Sequence, residues 1–163
     1  MIRHIVALDS ERGMAKGGAM PPWKLSKDEQ YFTDETLKYG GNVLMGRKTF
    51  VEALQNKPLA GRSNYVVTRD PSAIPGVTVV NDLASFMADW PLEKDLWVIG
   101  GSEVFVETMH DAHELYITEI DGMYGCDKFY PAYKSSSELL HVSPPQLENG
   151  ISYQFCVYRP KNR

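Results

Sequence analysis

The chain has 163 residues, a formal net charge of −4, and 43% apolar against 23% charged residues. A chain of this length buries roughly 70% of its unfolded surface, so it can build a full core without metal or disulfide staples. The composition is that of an ordinary globular protein, and the acidic balance argues against a broad nucleic-acid footprint, which needs a basic face.

Ile5-Val6-Ala7-Leu8 is a short continuous apolar run, the pattern of a strand covered on both faces. Residues 9–22 carry Gly13, Gly17, Gly18, Pro21 and Pro22 with little apolar content, which predicts a long loop of the kind that is usually functional. A helix is predicted over 26–39, stopped by Gly40-Gly41. A buried strand over 42–45 and a short helix over 49–56 follow. Strands over 64–68 and 77–80 flank a Pro/Gly turn, and a helix over 82–89 comes next. Then come a strand over 96–99, a helix over 102–109, and a period-two strand over 115–120. Residues 151–158 alternate and read as antiparallel. Strands alternating with helices predict an α/β fold: a mixed, mostly parallel central sheet with helices on both faces and an antiparallel C-terminal edge. One domain over 1–163 is expected. Ligands in such sheets sit at the C-terminal ends of the strands.

The richest stretch is Met20-Pro21-Pro22-Trp23-Lys24-Leu25-Ser26-Lys27-Asp28-Glu29-Gln30-Tyr31-Phe32. A stiff turn runs into a helix start, where Ser26 and Glu29 have capping-box spacing. Asp28 and Phe32 share a face one turn apart. Either Asp28 complements the helix dipole, or it supplies one negative charge to an apolar pocket beside Trp23. Val98-Ile99-Gly100-Gly101-Ser102 is a buried strand ending in two glycines before a helix, where phosphate can approach bare backbone. The full GxGxxG pattern is absent, so this is no Rossmann fingerprint. Gly46-Arg47-Lys48-Thr49 repeats the logic, with Thr49 and Glu52 spaced as a second capping box. Two cations at a helix start oppose its dipole, a local conflict that a phosphate-rich ligand relieves. Arg69 is a third cation past a strand end, and Arg62 a lone guanidinium suited to a carboxylate; a plain solvated charge is the alternative for each. Cys126 and Cys156 lack metal or redox spacing and are expected as reduced thiols of a cytoplasmic protein. His4, His110, His113 and His141 are scattered, so no metal site is expected. No apolar run is long enough for a membrane span or a signal-peptide core.

Together these segments resemble the dihydrofolate reductase family nearly end to end. The resemblance is carried by Ile5-Val6-Ala7, by Ala19-Met20-Pro21-Pro22-Trp23, and by Asp28 with Phe32. Further on it rests on Leu44-Met45-Gly46-Arg47-Lys48-Thr49-Phe50, Pro58-Leu59-Ala60-Gly61-Arg62, Val98-Ile99-Gly100-Gly101 and Leu115-Tyr116-Ile117-Thr118. It implies reduction of dihydrofolate by hydride transfer from NADPH in a monomeric cytoplasmic enzyme with no nucleic-acid or membrane partner. It makes Asp28, Met20, Trp23 and Thr118 the catalytic group, with Asp28 on the pterin's amino group and ring N–H and Thr118 bridged to it. Ile5, Val6, Glu29, Phe32, Leu54, Leu59 and Ile99 would line the substrate site, with Arg62 and Lys57 toward the glutamate tail. Ala7 and Gly13, Met14, Gly18, Ala19 and Met20 would cover the nicotinamide. Gly46, Arg47, Lys48, Thr49, Thr68 and Arg69 would hold the adenosine phosphates. Ile99, Gly100, Gly101, Ser102, Glu103, Val104 and Phe105 would take the pyrophosphate and nicotinamide side, and the family usually has a cis bond between the two glycines. The cations fit NADPH better than NADH. The chain departs from the family pattern at Glu29, where an apolar residue is usual, at Phe105 for Tyr, at Ala60 for Pro, and in the Lys16-Gly17-Gly18 loop with its doubled Pro. A reductase of a ribosylated pyrimidine and a nucleotide-binding module without turnover are the alternatives, and Asp28 with Arg62 favours a folate.

Overall fold

The structure, a computed structural model, describes residues 1–161. In chain order its elements are β1 (Ile2–Leu8), β2 (Gly13–Ala15), α1 (Ser26–Thr36), β3 (Asn42–Gly46), β4 (Ser63–Val67), β5 (Thr78–Val80) and α2 (Leu83–Asp89). They continue with β6 (Leu96–Gly100), α3 (Ser102–Thr108), β7 (Glu114–Ile120), β8 (Lys128–Phe129), β9 (Ser137–Val142), β10 (Gln146–Glu148) and β11 (Ile151–Pro160). A π-helical turn spans Thr49–Ala53 and a 3₁₀ turn Met109–Asp111.

The main sheet runs β10-β11-β7-β1-β6-β3-β4-β5, with β9 also on β11. From β7 through β5 neighbouring strands are parallel, while β11, β9 and β10 form the antiparallel edge. This is the predicted architecture. Alternation along the strands divides two cores. Ile5, Val43, Met45, Val66 and Trp97 face the layer of Phe50, Tyr31 and Phe32. Leu8, Leu44, Val98 and Ile117 face the opposite layer of Leu83, Val104 and Phe105. Fully burying one such aliphatic side chain contributes about 1.5–3 kcal/mol. His4 lies wholly inside the second core. Thr108 Oγ1 donates to Val104 O at 2.7 Å, so it accepts from His4 Nε2, 2.9 Å away, and Nδ1 accepts from the Tyr130 hydroxyl at 2.8 Å.

Several sequence expectations are corrected. The capping box of Ser26 and Glu29 does not form: Leu25 occupies the cap position, and no side-chain cap bond joins it to the helix. Nor does the box of Thr49 and Glu52, because the preceding Lys48 already has helical φ −60° and ψ −41°. The first helix ends at Thr36 rather than near 39. Tyr39 turns to φ 58° and lays its ring 4.1 Å from the Arg3 guanidinium, so a tertiary contact ends the helix before the glycines. The long loop is not structureless: β2 within it pairs with β8. Three strands, β8, β9 and β10, have no counterpart in the sequence reading: β8 and β10 are two and three residues long, and β9, with six, is exposed after its first residue and lacks an apolar alternation.

Candidate functional site

Parallel pairing of β1 and β7 sets Ala7 opposite Thr118. Thr118 is buried, and its hydroxyl donates to Asp28 Oδ1 at 2.6 Å across ninety residues of chain. Asp28 sits in the first turn of α1. Burial pushes its carboxyl up from the ordinary 3.8 to about 6; the Thr118 bond works against this, and the charges of Glu29 and Glu148 add to it. The N-terminus of α1 is held from outside. Ser26 N and Oγ each donate to Glu148 Oε2 at 2.7 Å, and Lys27 N donates to Oε1 at 3.3 Å.

Beside Asp28 lies an apolar wall. Phe32, Leu54, Leu59 and Ile99 are partly buried against the cluster that holds Ile5. Val6 points the other way along its strand, into the opposite core. Arg62 lies past Leu59 in sequence, its Nη1 donating to Thr36 Oγ1 at 2.7 Å and its Nε to Ala60 O at 3.0 Å. Those anchors leave N–H groups on Nη1 and Nη2 for a carboxylate. Lys57 and Glu29 are exposed. Trp23 is buried and packs on Tyr124 with ring centroids 5.6 Å apart, whereas Met20 is 53% exposed.

A second region opens across the sheet's C-terminal edge. A cleft of about 490 Å³ is lined by Arg47, Lys48, Val51, Glu52, Thr68, Arg69 and Asp70. Among the described residues no ion pair engages Arg47, Lys48 or Arg69; the Asp70 carboxyl is held below its usual range first by the hydrogen bond from Ser72 N, with the Arg47 charge a lesser contribution. Gly46 and Gly101 face each other beneath this edge. A Cβ on Gly46 would stand 3.2 Å from Val104 Cγ2, and one on Gly101 3.3 Å from Thr49 Oγ1, so both glycines pack tightly against α3 and the turn at Thr49. The Gly100-Gly101 peptide is cis, as in the family pattern. Ser102, Glu103, Val104 and Phe105 open α3 behind it, with Val104 and Phe105 buried. A dinucleotide fits this donor set: three cations at one end, bare glycine backbone at the other.

The loop carrying Met14, Gly18 and Ala19 is stitched to the segment after β7. Asp9 Oδ1 accepts from Glu11 N at 2.9 Å and Gly13 N at 2.8 Å, and Oδ2 accepts from Tyr124 N at 3.1 Å. Gly17 N donates to Asp127 Oδ2 at 3.0 Å. Gly13 is walled in by Asp9 and Cys126, so it serves this anchor. A Cβ on Gly18 would stand 2.7 Å from Glu52 Oε1. Asp9, Asp127 and Glu148 escape sequence reasoning because each acts across more than a hundred residues and none belongs to a motif. Among the described residues no three His, Cys, Asp or Glu are grouped to hold a metal ion, and no helix is long and apolar enough to cross a membrane.

The whole arrangement has counterparts in known proteins. The family model described as Dihydrofolate reductase matches residues 1–160. A dihydrofolate reductase of Bacillus subtilis (strain 168) is 34% identical over 167 residues, covering 99% of this chain and 96% of its own length. One from Aedes albopictus is 32% identical over 176 residues, covering 94% of each. Among solved structures, a dihydrofolate reductase from Enterococcus faecalis complexed with NADP(H) and RAB-propyl superposes with a TM-score of 0.84 at 28% identity, covering 98% of this chain and 96% of that one. With the family model spanning nearly every residue and relatives above 30% identity aligned end to end, the chain belongs to the dihydrofolate reductase family.

Proposed function

We propose that the chain reduces 7,8-dihydrofolate to 5,6,7,8-tetrahydrofolate with NADPH, as a monomeric single-domain enzyme of the cytoplasm that feeds one-carbon carriers to thymidylate and purine synthesis. One observation carries the reading: a carboxyl raised to about 6 is bonded to Thr118 beside the apolar wall of Phe32, Leu54, Leu59 and Ile99. That is a place for a flat, polar-edged ring.

Asp28 accepts from the pterin's amino group and ring N–H, while Thr118 keeps one carboxylate oxygen turned to the ring. Ile5, Phe32, Leu54, Leu59 and Ile99 hold the ring and the benzoyl group by burial. Arg62, fixed by Thr36 and Ala60, takes the glutamate carboxylate, with Lys57 close in sequence. Arg47, Lys48, Arg69 and Thr68 would hold the adenosine end of the cofactor, and its pyrophosphate would lie along the backbone of Gly46, at the end of β3, and Gly101, at the start of α3. NADPH supplies a hydride to C6 of the substrate when bound. The residues of the chain contribute position, since two rings held in near-attack geometry gain most from a pre-formed site. Their second contribution is a proton reservoir: the raised Asp28 carboxyl retains a protonated fraction near neutral pH and favours delivery of a proton toward N5. Met20 and Trp23, at the end of the glycine-rich loop, help exclude water.

Absorbance at 340 nm tests the reading. A fall that needs both NADPH and dihydrofolate supports it, and NADPH binding without any fall overturns it in favour of a nucleotide-binding module.

A further inference from the structure

Glu148 stands at the end of β10 and reaches back 122 residues to the start of α1. Its carboxylate takes three donors from the first helical turn, Ser26 N, Ser26 Oγ and Lys27 N, and a fourth from the Tyr153 hydroxyl at 3.2 Å. Tyr153 is 1% exposed and packs with Trp23, Leu25 and Ile120, so this acceptor is not a swinging surface side chain. The same hairpin adds Asn149 Nδ2 donating to Lys24 O at 3.2 Å and Lys27 Nζ donating to Gln146 Oε1 at 3.5 Å. Asp28 follows directly in the chain. It is tied on its other side to Thr118 of β7, and Thr118 pairs in register with Phe155 of β11, the strand that carries the hairpin. Two adjacent strands thus hold the helix start and the carboxyl as one frame.

We propose that Glu148 is a positioning residue for Asp28: it clamps the first turn of α1 onto the frame of β7 and β11 and adds a fixed negative charge beside the carboxyl that meets the substrate. The inference rests on the reading of Asp28 as the pterin's partner. The groups around Asp28 are Thr118 from β7, Glu29 and Tyr31 on its own helix, and Glu148 and Tyr153 from the hairpin strands, none of them a cation. The Ser26 N–H first, then the Ser26 hydroxyl, Lys27 N–H and Tyr153 hydroxyl, hold Glu148 itself ionised far below neutrality, at about 2, so its charge is constant wherever Asp28 titrates. Loss of that charge makes the ionised form of Asp28 easier to reach, and its midpoint moves to lower pH.

The test uses the full-length protein with Glu148→Gln, Glu148→Ala and Glu148→Asp, and with Glu138→Gln as a control on the exposed β9 edge. The Asp28 carboxyl is titrated by carbon NMR in the free protein, and kcat/KM with NADPH and dihydrofolate is followed against pH. Glu148→Gln is expected to move both the Asp28 midpoint and the kcat/KM limb down by roughly half a pH unit, the size of one partly screened charge. Glu148→Ala is expected to lower kcat/KM at pH 7 by roughly five-fold or more, with Glu148→Asp recovering part of it and Glu138→Gln unchanged. A drop in melting temperature with an unmoved Asp28 midpoint and unaltered kinetics overturns the proposal and leaves Glu148 a structural cap. The NMR titration needs no turnover, so a protein that fails to reduce dihydrofolate would sink the functional reading while the shift in Asp28 is still read.

Discussion

At the scale of the residue, Asp28 joins the proposed substrate contact to a cost in stability. Its folded carboxyl titrates at about 6 against an ordinary 3.8, so the native state binds protons more tightly than the unfolded chain between those values. Stability from this group therefore falls as pH rises through that window, and by pH 7 the deficit is about 3 kcal/mol at most. Asp28→Asn removes the deficit together with the chemistry. Turnover of dihydrofolate at pH 7 should fall by about 10²-fold or more, NADPH affinity should hold, and the melting temperature should rise at pH 7 but not at pH 4. Steady-state kinetics and thermal unfolding at the two pH values check both halves. Glu29 is the other informative position. The absence of a cap bond removes the structural reason to keep a carboxylate there, and the side chain is exposed. Glu29→Leu should therefore tighten an apolar-tailed diaminopyrimidine antifolate by roughly several-fold at almost no cost in melting temperature. Equal inhibition constants for the two proteins would leave Glu29 without a part in binding.

Elements bring two further outcomes. The glycine-rich loop hangs on one buried carboxylate, since Asp9 satisfies backbone donors in the loop and at Tyr124 together. Buried donors left without acceptors cost about 1–3 kcal/mol each, so Asp9→Ala should loosen both partners of the stitch. Hydrogen exchange should quicken in 10–17 and 122–127 alike, while 42–46 stays protected; acceleration confined to the first segment would break the idea of a joint anchor. The cleft cations make the second case. Charge-assisted hydrogen bonds contribute about 1.5–3 kcal/mol each, so replacing Arg47 and Lys48 by Ala should cut the preference for NADPH over NADH by roughly ten-fold or more. Comparing kcat/KM with the two cofactors measures it, and equal use of both by the unaltered protein would remove the 2′-phosphate assignment. Helix ends show why elements are only half written in sequence. Asp82, whose carboxylate takes Ser85 N at 3.1 Å, caps α2 within the predicted span. Ser26 had the same chemistry, yet the cap it was expected to supply comes from Glu148.

For the molecule as a whole, acid stability is a contest between two buried groups. His4 is enclosed in the core with both ring nitrogens bonded, and desolvation holds it down at about 3 from the ordinary 6.5. A depressed histidine contributes stability that is complete above the unfolded value and is lost as pH falls from 6.5 toward 3. By pH 5 that loss is about 2 kcal/mol, of which somewhat more than half is offset by the roughly 1.3 kcal/mol regained as Asp28 protonates. Denaturant midpoints of the unaltered protein should thus fall only a little from pH 7 to 5, while those of Asp28→Asn should decline steadily. Parallel curves for the two proteins would rule the compensation out. The parallel sheet, its order of strands and helices, and the Gly46, Gly100 and Gly101 positions were legible in the sequence, because apolar runs and glycine breaks are local signals that sheet formation reinforces. Asp28, Arg62 and the cleft cations could be named from the sequence as candidates, each with a plain charge as its alternative, and Thr118 only through the family resemblance; the structure brings Asp28 and Thr118 together and lines one cleft with the cations. Tertiary structure alone decided that α1 ends at Thr36, that Asp9 and Asp127 stitch the loop, and that Glu148 rather than Ser26 caps α1. Those outcomes depend on which distant acceptor arrives beside an unpaired N–H group, and that is set by packing across the sheet rather than by neighbours along the chain.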